Sequence, residues 1–256
     1  MTENLDIPEY LPGGSGGVWK VGRTVRRPTG PWTPAVHEYL DWLDGEGLGG
    51  IPKVSGFDDD GREIVSYIEG RGVPIDDEIV LDNVLVEAAT WLREFHDIAE
   101  DYEPDGPRVW RQTGADPVDI EPGQIVCHND TGAYNWIIQS GRFVAVIDWD
   151  LAGPGDPVED LAFMCWTAIP LYRPIPAKEA ARRIDLVVDA YGGPGPMTLL
   201  NAVVARMAKA TERIAAGIER GDPGMLSLAK RGEPQRTRDR LADFQSRLDD
   251  ILAELA

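Results

Sequence analysis

The chain has 256 residues, of which 43% are hydrophobic, enough for one large domain or two lobes around a substantial core and too many for wholesale disorder. With 44 acidic against 25 basic side chains its formal net charge is -19, a surface that repels nucleic-acid phosphates and anionic membranes and attracts a cationic ligand. The first residues lack a basic n-region and an apolar h-region, no apolar run approaches bilayer length, and Cys127 and Cys165 lie in hydrophobic stretches as core filler. A cytoplasmic protein without nucleic-acid or membrane partners is expected, and its oligomeric state is left open.

The first third reads as strands. Pro12 to Gly17 is a glycine-rich flexible loop, and Val18 to Val21 and Thr24 to Arg27 flank Gly22-Arg23 as a hairpin. Pro28 to Pro34 breaks the pattern, with Thr33 or Thr29 available as a helix cap. Val36, Tyr39, Leu40 and Leu43 then recur at helical spacing over Ala35 to Leu43. Two further strands, Lys53 to Phe57 and Arg62 to Ile68, are joined by the acidic turn Asp58 to Gly61. Glu69 to Pro74 reads as a linker, after which helices dominate. Val84, Leu85, Ala88, Ala89, Trp91, Leu92, Phe95 and Ile98 form one wide apolar stripe.

A Gly/Pro-rich stretch, Pro104 to Gly123, leads into a short strand, Gln124 to Cys127. Asn135 to Gln139 and Arg142 to Ile147 form a hairpin turned at Ser140-Gly141. Helices are then expected over Val158 to Ala168, Ala177 to Tyr191, Met197 to Arg220 and Pro234 to Leu255. The fold class is therefore α+β: a small strand-rich N-lobe over residues 1–70 and a larger, mainly helical C-lobe over residues 71–256.

The one strand-and-loop island of the helical half carries the chemistry. His128-Asn129-Asp130 is followed by Asn135 five positions after Asp130, and an apolar strand ends in Asp148. Phosphoryl transfer asks for little covalent help: nucleotide and metal held in place, phosphate charge neutralised, and a base near the attacking hydroxyl. Asp130 suits the base, Asn135 and Asp148 offer the hard oxygens that Mg2+ prefers, and His128 stiffens the loop by hydrogen bonding. Taken singly, Asp150, Asp156 and Asp160 read as turn formers or helix caps.

His128-Asn129-Asp130 through Asn135, then Ile147-Asp148-Trp149-Asp150, Gly155-Asp156-Pro157 and Asp160-Leu161-Ala162, resembles the aminoglycoside phosphotransferase family. The resemblance implies a protein-kinase-like fold, with a five-stranded antiparallel N-lobe, a helical C-lobe and nucleotide in the cleft between them. By motif position it implies Asp130 as catalytic base and Asn135 with Asp148 as magnesium ligands. It further implies Tyr67 and Ile68 as backbone partners of the adenine, and substrate contacts from the helices over Ala177 to Ala256.

The chain departs from the family at several points. Asn129 stands where glycine is usual, and a second loop histidine is missing. Arg27 stands as the counterpart of the phosphate-binding strand lysine, and Val36, His37 and Glu38 surround the position of its usual glutamate partner. The glycines Gly13 to Gly17 could cover phosphates or form a plain loop, and no Walker-type motif occurs.

ATP- and Mg2+-dependent phosphorylation of a hydroxylated small molecule follows, with GTP as the other nucleotide. A cationic aminoglycoside or another antibiotic is the first acceptor class, and an amino alcohol or sugar metabolite the second. A non-catalytic nucleotide-binding regulator and a phosphate-ester hydrolase are the rivals from other classes.

Overall fold

The computed structural model describes residues 7–11, 17–114 and 116–255, so most of the glycine loop at Pro12 to Gly17 lies outside the described residues. Five short strands form an antiparallel sheet: β1 (Glu9–Tyr10), β2 (Trp19–Val21), β3 (Thr24–Arg27), β4 (Val54–Phe57) and β5 (Glu63–Ser66), in the order β1-β2-β3-β5-β4. The β2–β3 hairpin turns at Gly22, whose φ of 60° favours glycine. Register sets Arg27 directly opposite Glu63. β5 ends at Ser66, short of the expected Ile68, because the Tyr67 N–H turns away to the Arg23 carbonyl (2.9 Å).

Between β3 and β4 runs α1 (Thr33–Gly45), which buries Val36, Tyr39, Leu40 and Leu43 as the spacing predicts. The expected threonine cap is not made. Trp32 occupies the cap position, the Thr33 hydroxyl accepts from Gly30 N–H (2.9 Å), and Thr29 donates to the Gly61 carbonyl (3.0 Å).

The C-lobe starts with α2 (Asp82–Ala99). The Gly/Pro-rich stretch after it is not all irregular, since β6 (Arg108–Val109) pairs with β7 (Pro117–Val118). Then β8 (Ile125–Cys127) pairs with β11 (Gly153–Gly155), a segment whose Gly-Pro-Gly composition hides a strand. Inserted between them is the hairpin β9 (Trp136–Gln139) and β10 (Arg142–Val146). Ser140 and Gly141 both take positive φ, 52° and 74°, which suits the twist of a two-residue hairpin turn.

Helices complete the lobe: α3 (Pro157–Ala168), α4 (Ala177–Tyr191), α5 (Pro196–Glu219), α6 (Pro223–Ala229), α7 (Gln235–Ser246) and α8 (Leu248–Glu254). The Asp156 carboxylate caps α3, and Gly192, at φ 84°, ends α4. Two differences from the sequence reading fall at the C-terminal end. α6, in a segment to which the sequence reading gave no element, forms because Asp222 accepts from Met225 N–H (3.0 Å) ahead of a proline in the first turn. The expected single helix from Pro234 to Leu255 breaks at Arg247, whose guanidinium is drawn inward to the Leu171 carbonyl (2.9 Å). No helix of the described residues is long and apolar enough to cross a membrane.

One continuous core joins the two lobes. The Tyr39 hydroxyl of α1 donates to the Val126 carbonyl of β8 (2.8 Å), and Trp91 Nε1 donates to Gly49 O (2.7 Å). Trp149 lies at the junction, its ring centroid 6.2 Å from Tyr39, 5.2 Å from Phe95 and 4.6 Å from His128. A hole there would be lined by rings from both lobes and could not collapse easily. Trp149→Ala is expected to cost about 3–5 kcal/mol, read as a fall of order 10 °C in the thermal unfolding midpoint.

Candidate active site

Three short segments converge on the cleft: the loop after β8 with Asp130 and Asn135, the turn after β10 with Asp148 and Asp150, and the end of β3 with Arg27. The loop after β8 is shaped by a buried carboxylate. Asp160, in the first turn of α3 and 1% exposed, accepts from the backbone N–H groups of His128 (2.8 Å) and Asn129 (2.7 Å). Its own carbonyl accepts from the Thr131 hydroxyl (2.6 Å). His96 Nε2 lies 3.4 Å from the same carboxylate, and His96 Nδ1 lies 2.8 Å from the Tyr191 hydroxyl. His96, Cys127 and Asp160 come close enough to share a cation. The existing bonds of His96 and Asp160 instead commit that cluster to holding the loop.

Asn129 takes a φ of 63°, a left-handed conformation that asparagine tolerates better than most residues, so it serves where the family has glycine. Its side-chain amide donates to Gly153 O (2.9 Å) and its carbonyl accepts from Arg206 (2.9 Å). His128 is fully buried; its Nδ1 accepts from Asp130 N–H (3.2 Å), so the network assigns the proton to Nε2, which faces Ile147 O at 3.2 Å.

Asp130 and Asn135 are brought together. The Asn135 amide donates to both the carbonyl and a carboxylate oxygen of Asp130 (2.9 Å each), which leaves the Asn135 carbonyl oxygen for another partner. The Tyr134 hydroxyl donates to the other Asp130 carboxylate oxygen. Burial raises the Asp130 pKa and the Asp148 charge adds to the rise, while the Tyr134 hydrogen bond, His128 and Asn135 oppose it. Asp148 adopts a φ of 66° and keeps its side chain 46% exposed, so backbone strain at this turn holds a carboxylate out into the cleft.

Arg27 sits among carboxylates. Its Nη2 donates to Asp148 (3.2 Å) and to Asp150, and its Nε lies 3.0 Å from Glu63. Burial alone would lower its pKa, but the fields of Asp150, Asp148 and Glu63 outweigh burial and raise it. Of the residues near the expected glutamate position, His37 is the one that reaches this cluster, with Nε2 2.9 Å from the other oxygen of buried Glu63. Arg27, Glu63 and His37 thus form one chain of contacts, with the carboxylate supplied by the neighbouring strand and a histidine by the helix. Glu38 points elsewhere and pairs with Arg108 (2.8 Å).

Tyr67 and Ile68 follow the far end of β5 from Glu63. The Tyr67 N–H is bound to the sheet, and Lys20 Nζ sits 3.8 Å from the centre of its ring.

A cavity of about 160 Å³ opens beside these groups, with Asp130, Asp148 and Asp150 on one side and residues of α6 and the turn after it on the other. Arg111, Met225, Leu228 and Arg231 belong to this wall and carry no signal in the sequence, since they lie in segments without periodicity. Glu63 lay without distinction inside the expected strand Arg62 to Ile68, and Asp160 was legible only as a turn former or helix cap and a motif member.

Residues 107–200 match the phosphotransferase enzyme family. The trifolitoxin immunity protein of Rhizobium leguminosarum bv. trifolii is 32% identical over 194 residues, covering 70% of this chain and 72% of that protein. Among solved structures, amicoumacin kinase hAmiN, in complex with AMP-PNP, Ca2+ and amicoumacin, superposes with a TM-score of 0.62 at 14% identity, covering 95% of this chain and 88% of that one. The gentamicin complex of APH(2")-IIa gives 0.59 at 18% identity, covering 91% and 93%. A choline/ethanolamine kinase family protein from Mesorhizobium loti gives 0.59 at 15% identity, covering 99% and 92%. At these identities the structures establish the protein-kinase-like fold.

Removing the Asp160 carboxylate strands two buried N–H groups and frees the loop that carries Asp130. Asp160→Ala is expected to destabilise the chain by about 3 kcal/mol or more in denaturant unfolding. Asp160→Asn, which keeps an acceptor, should recover part of that loss.

Proposed function

The chain belongs to the phosphotransferase enzyme family, the aminoglycoside-phosphotransferase-like kinases of small molecules, and on that premise we propose that it transfers the γ-phosphoryl group of ATP to a hydroxyl of a small molecule with Mg2+ as the metal. The observation that carries this reading is the pairing of Asp130 with Asn135 beside the outward-held Asp148 at the mouth of one cavity.

The donor set fits magnesium. Asn135 spends its amide hydrogens on Asp130, so its oxygen is the free end, and Asp148 is the most exposed of the cleft carboxylates around Arg27. An amide oxygen and a carboxylate are the hard ligands that this ion takes from protein while leaving the rest of its shell to phosphate and water. When bound, the metal and nucleotide supply an electrophilic phosphorus whose oxygens are partly neutralised.

The chain's own residues do the rest. Asp130, held by Asn135 and Tyr134, orients the acceptor hydroxyl and takes its proton. Arg27 lies within reach of Asp148 and stays positively charged, suited to a phosphate oxygen that enters between them. Glu63 and His37 fix the direction of its guanidinium. Tyr67 and Ile68 remain the adenine-facing candidates, by carbonyl oxygen or the Ile68 amide, because the Tyr67 N–H is engaged. An antibacterial compound is the acceptor favoured by the similarity to an immunity protein, with support from the fold shared with gentamicin- and amicoumacin-bound enzymes.

Assays of Mg2+-dependent ATP turnover across hydroxylated compounds, with GTP in parallel, test the reading. Asp130→Ala is expected to lower kcat by about 10²–10⁴-fold with nucleotide still bound. Arg27→Ala should raise the KM for ATP by roughly tenfold or more. ATP binding without turnover on any acceptor would overturn the proposal.

The pH profile has a definite sign. Asp130 must be ionised to act, and its pKa is raised, so activity is lost as pH falls through a value above the ordinary aspartate range. Tyr134→Phe removes a donor that stabilises the carboxylate, and the acid limb of kcat/KM is expected to move to higher pH. A limb that stays in place or moves down would exclude Asp130 as the titrating base.

A further inference from the structure

The acceptor side of the cavity does not match the charge of the chain. A net charge of -19 would surround a polycationic sugar with spare carboxylates, yet the cavity is lined by only three, each with a partner, and of these the largely exposed Asp148 is the one proposed for the metal. Asp130 is bound by Tyr134 and Asn135, Asp148 by Arg27, and Asp150 by Arg27 and by Arg111 Nη1 (3.1 Å). From α6 and the following turn come Gly224, Met225, Ser227, Leu228 and Arg231, with no carboxylate among them. The wall facing Asp130 is therefore apolar and cationic.

Further arginines lie near the Asp130 loop. Arg206 is buried against the Asn129 carbonyl, with its guanidinium carbon 4.6 Å from the centre of the Phe163 ring. Arg213 donates to the Gln112 side chain (2.9 Å). Arg111 is held over the Trp32 ring at 4.7 Å, and α6 approaches it so closely that a Cβ on Gly224 would sit 3.8 Å from its guanidinium. Arg231, exposed at the rim, makes no ion pair among the described residues. It has the planar fork that binds carboxylate or phosphate in two-point fashion.

We propose that the acceptor is a small hydroxylated compound carrying an anionic group, a hydroxy acid or a phosphorylated alcohol, with its anion on Arg231 and Arg111 and its hydroxyl at Asp130. This rests on the phosphoryl-transfer reading above and narrows its acceptor class, against the cationic acceptor that overall charge suggests. In the step itself, the acceptor oxygen forms a bond to the γ-phosphorus, the bond from that phosphorus to the β–γ bridging oxygen breaks, ADP leaves with the electron pair, and the hydroxyl proton passes to Asp130.

The test uses the full chain with Mg2+ and ATP and three matched sets of small alcohols: hydroxy acids with their phosphorylated counterparts, hydroxy amides, and amino alcohols including aminoglycosides. Acids are expected to exceed amides and amines by at least tenfold in kcat/KM. Arg231→Glu should erase that preference through KM, and Arg231→Lys should keep most of it. A preference for amines overturns the charge assignment and leaves phosphoryl transfer standing, as does an Arg231→Glu variant that lowers kcat equally for every acceptor, which would give Arg231 to the transferring phosphate instead.

Transfer to none of the sets with nucleotide bound overturns the enzymatic reading. The charge assignment is then read from binding alone, by calorimetric titration of the Mg2+–ADP complex with the same compounds. Binding of acids that Arg231→Glu weakens tenfold supports it; binding of amines instead, or of neither, overturns it.

Discussion

The buried carboxylate of Asp160 is the constraint on which the site depends. A loop that must present Asp130 and Asn135 in one geometry cannot rely on strand pairing, because the residues between β8 and β9 leave the sheet. Two N–H groups of that loop instead point inward and end on one carboxylate at the start of α3. A charge buried to this degree is costly unless its oxygens are bonded, and here they accept from His128 and Asn129 with His96 alongside. The same pairing forces Asn129 into a left-handed conformation, turns the chain, and swings Asp130 toward the cleft. α3 in turn is held in place by its own Asp156 cap and by the core, so the loop inherits the rigidity of a helix.

The N-lobe meets an equivalent demand in a different way. A buried guanidinium on β3 needs a carboxylate that also holds its direction. The sheet register supplies one: Glu63 lies directly across from Arg27 on β5, and His37 from α1 bonds the second Glu63 oxygen. Both oxygens of Glu63 are thereby used, and the guanidinium is left with one end on the sheet and the other toward Asp148 and Asp150. A strand-borne carboxylate is tied by backbone hydrogen bonds on both sides of its strand, so this arrangement is less free to swing than a pair formed between strand and helix. Arg27 of β3 and His37 of α1 therefore belong to one cluster built around Glu63.

How much of this was legible depended on whether the signal was local. Helical and strand periodicity marked α1 to α5 and the β9–β10 hairpin, because each buries a stripe against the core. The motif from His128 to Ala162 marked the candidate base and the candidate metal ligands because their spacing is set by a short loop and one hairpin. Glu63 was hidden: its role comes from being opposite Arg27, and that is a matter of register between strands separated by a helix. Asp160 looked like a helix-start residue, which it is by position; its partners lie some thirty residues earlier. α6 was hidden for a further reason, since seven residues with one capping aspartate are too short to show a period. The wall of the cavity opposite Asp130 is built from that helix and from Arg111, so the acceptor side was the part the sequence could not present.

The charge of the chain and the charge of its cavity need separate treatment. At physiological ionic strength the field of exposed carboxylates falls off over about 8 Å, so a net charge of -19 spread over the surface governs solubility and encounter far more than it governs a lined cavity. Within the cleft screening is weaker than on the open surface, and each cavity carboxylate is found with donors around it. A cation arriving there would have to displace Arg27 or Arg111 from Asp150, compete with the donors on Asp130, or take the exposed Asp148 from the metal. An anion arriving at Arg231 meets no paired carboxylate there among the described residues, and at Arg111 it competes with Asp150 for one side of the guanidinium. The acidic exterior is no bar to it, because the proposed chemistry already asks the same cleft to admit a nucleotide carrying several negative charges. Local pairing, not the sum over the surface, decides what the site prefers.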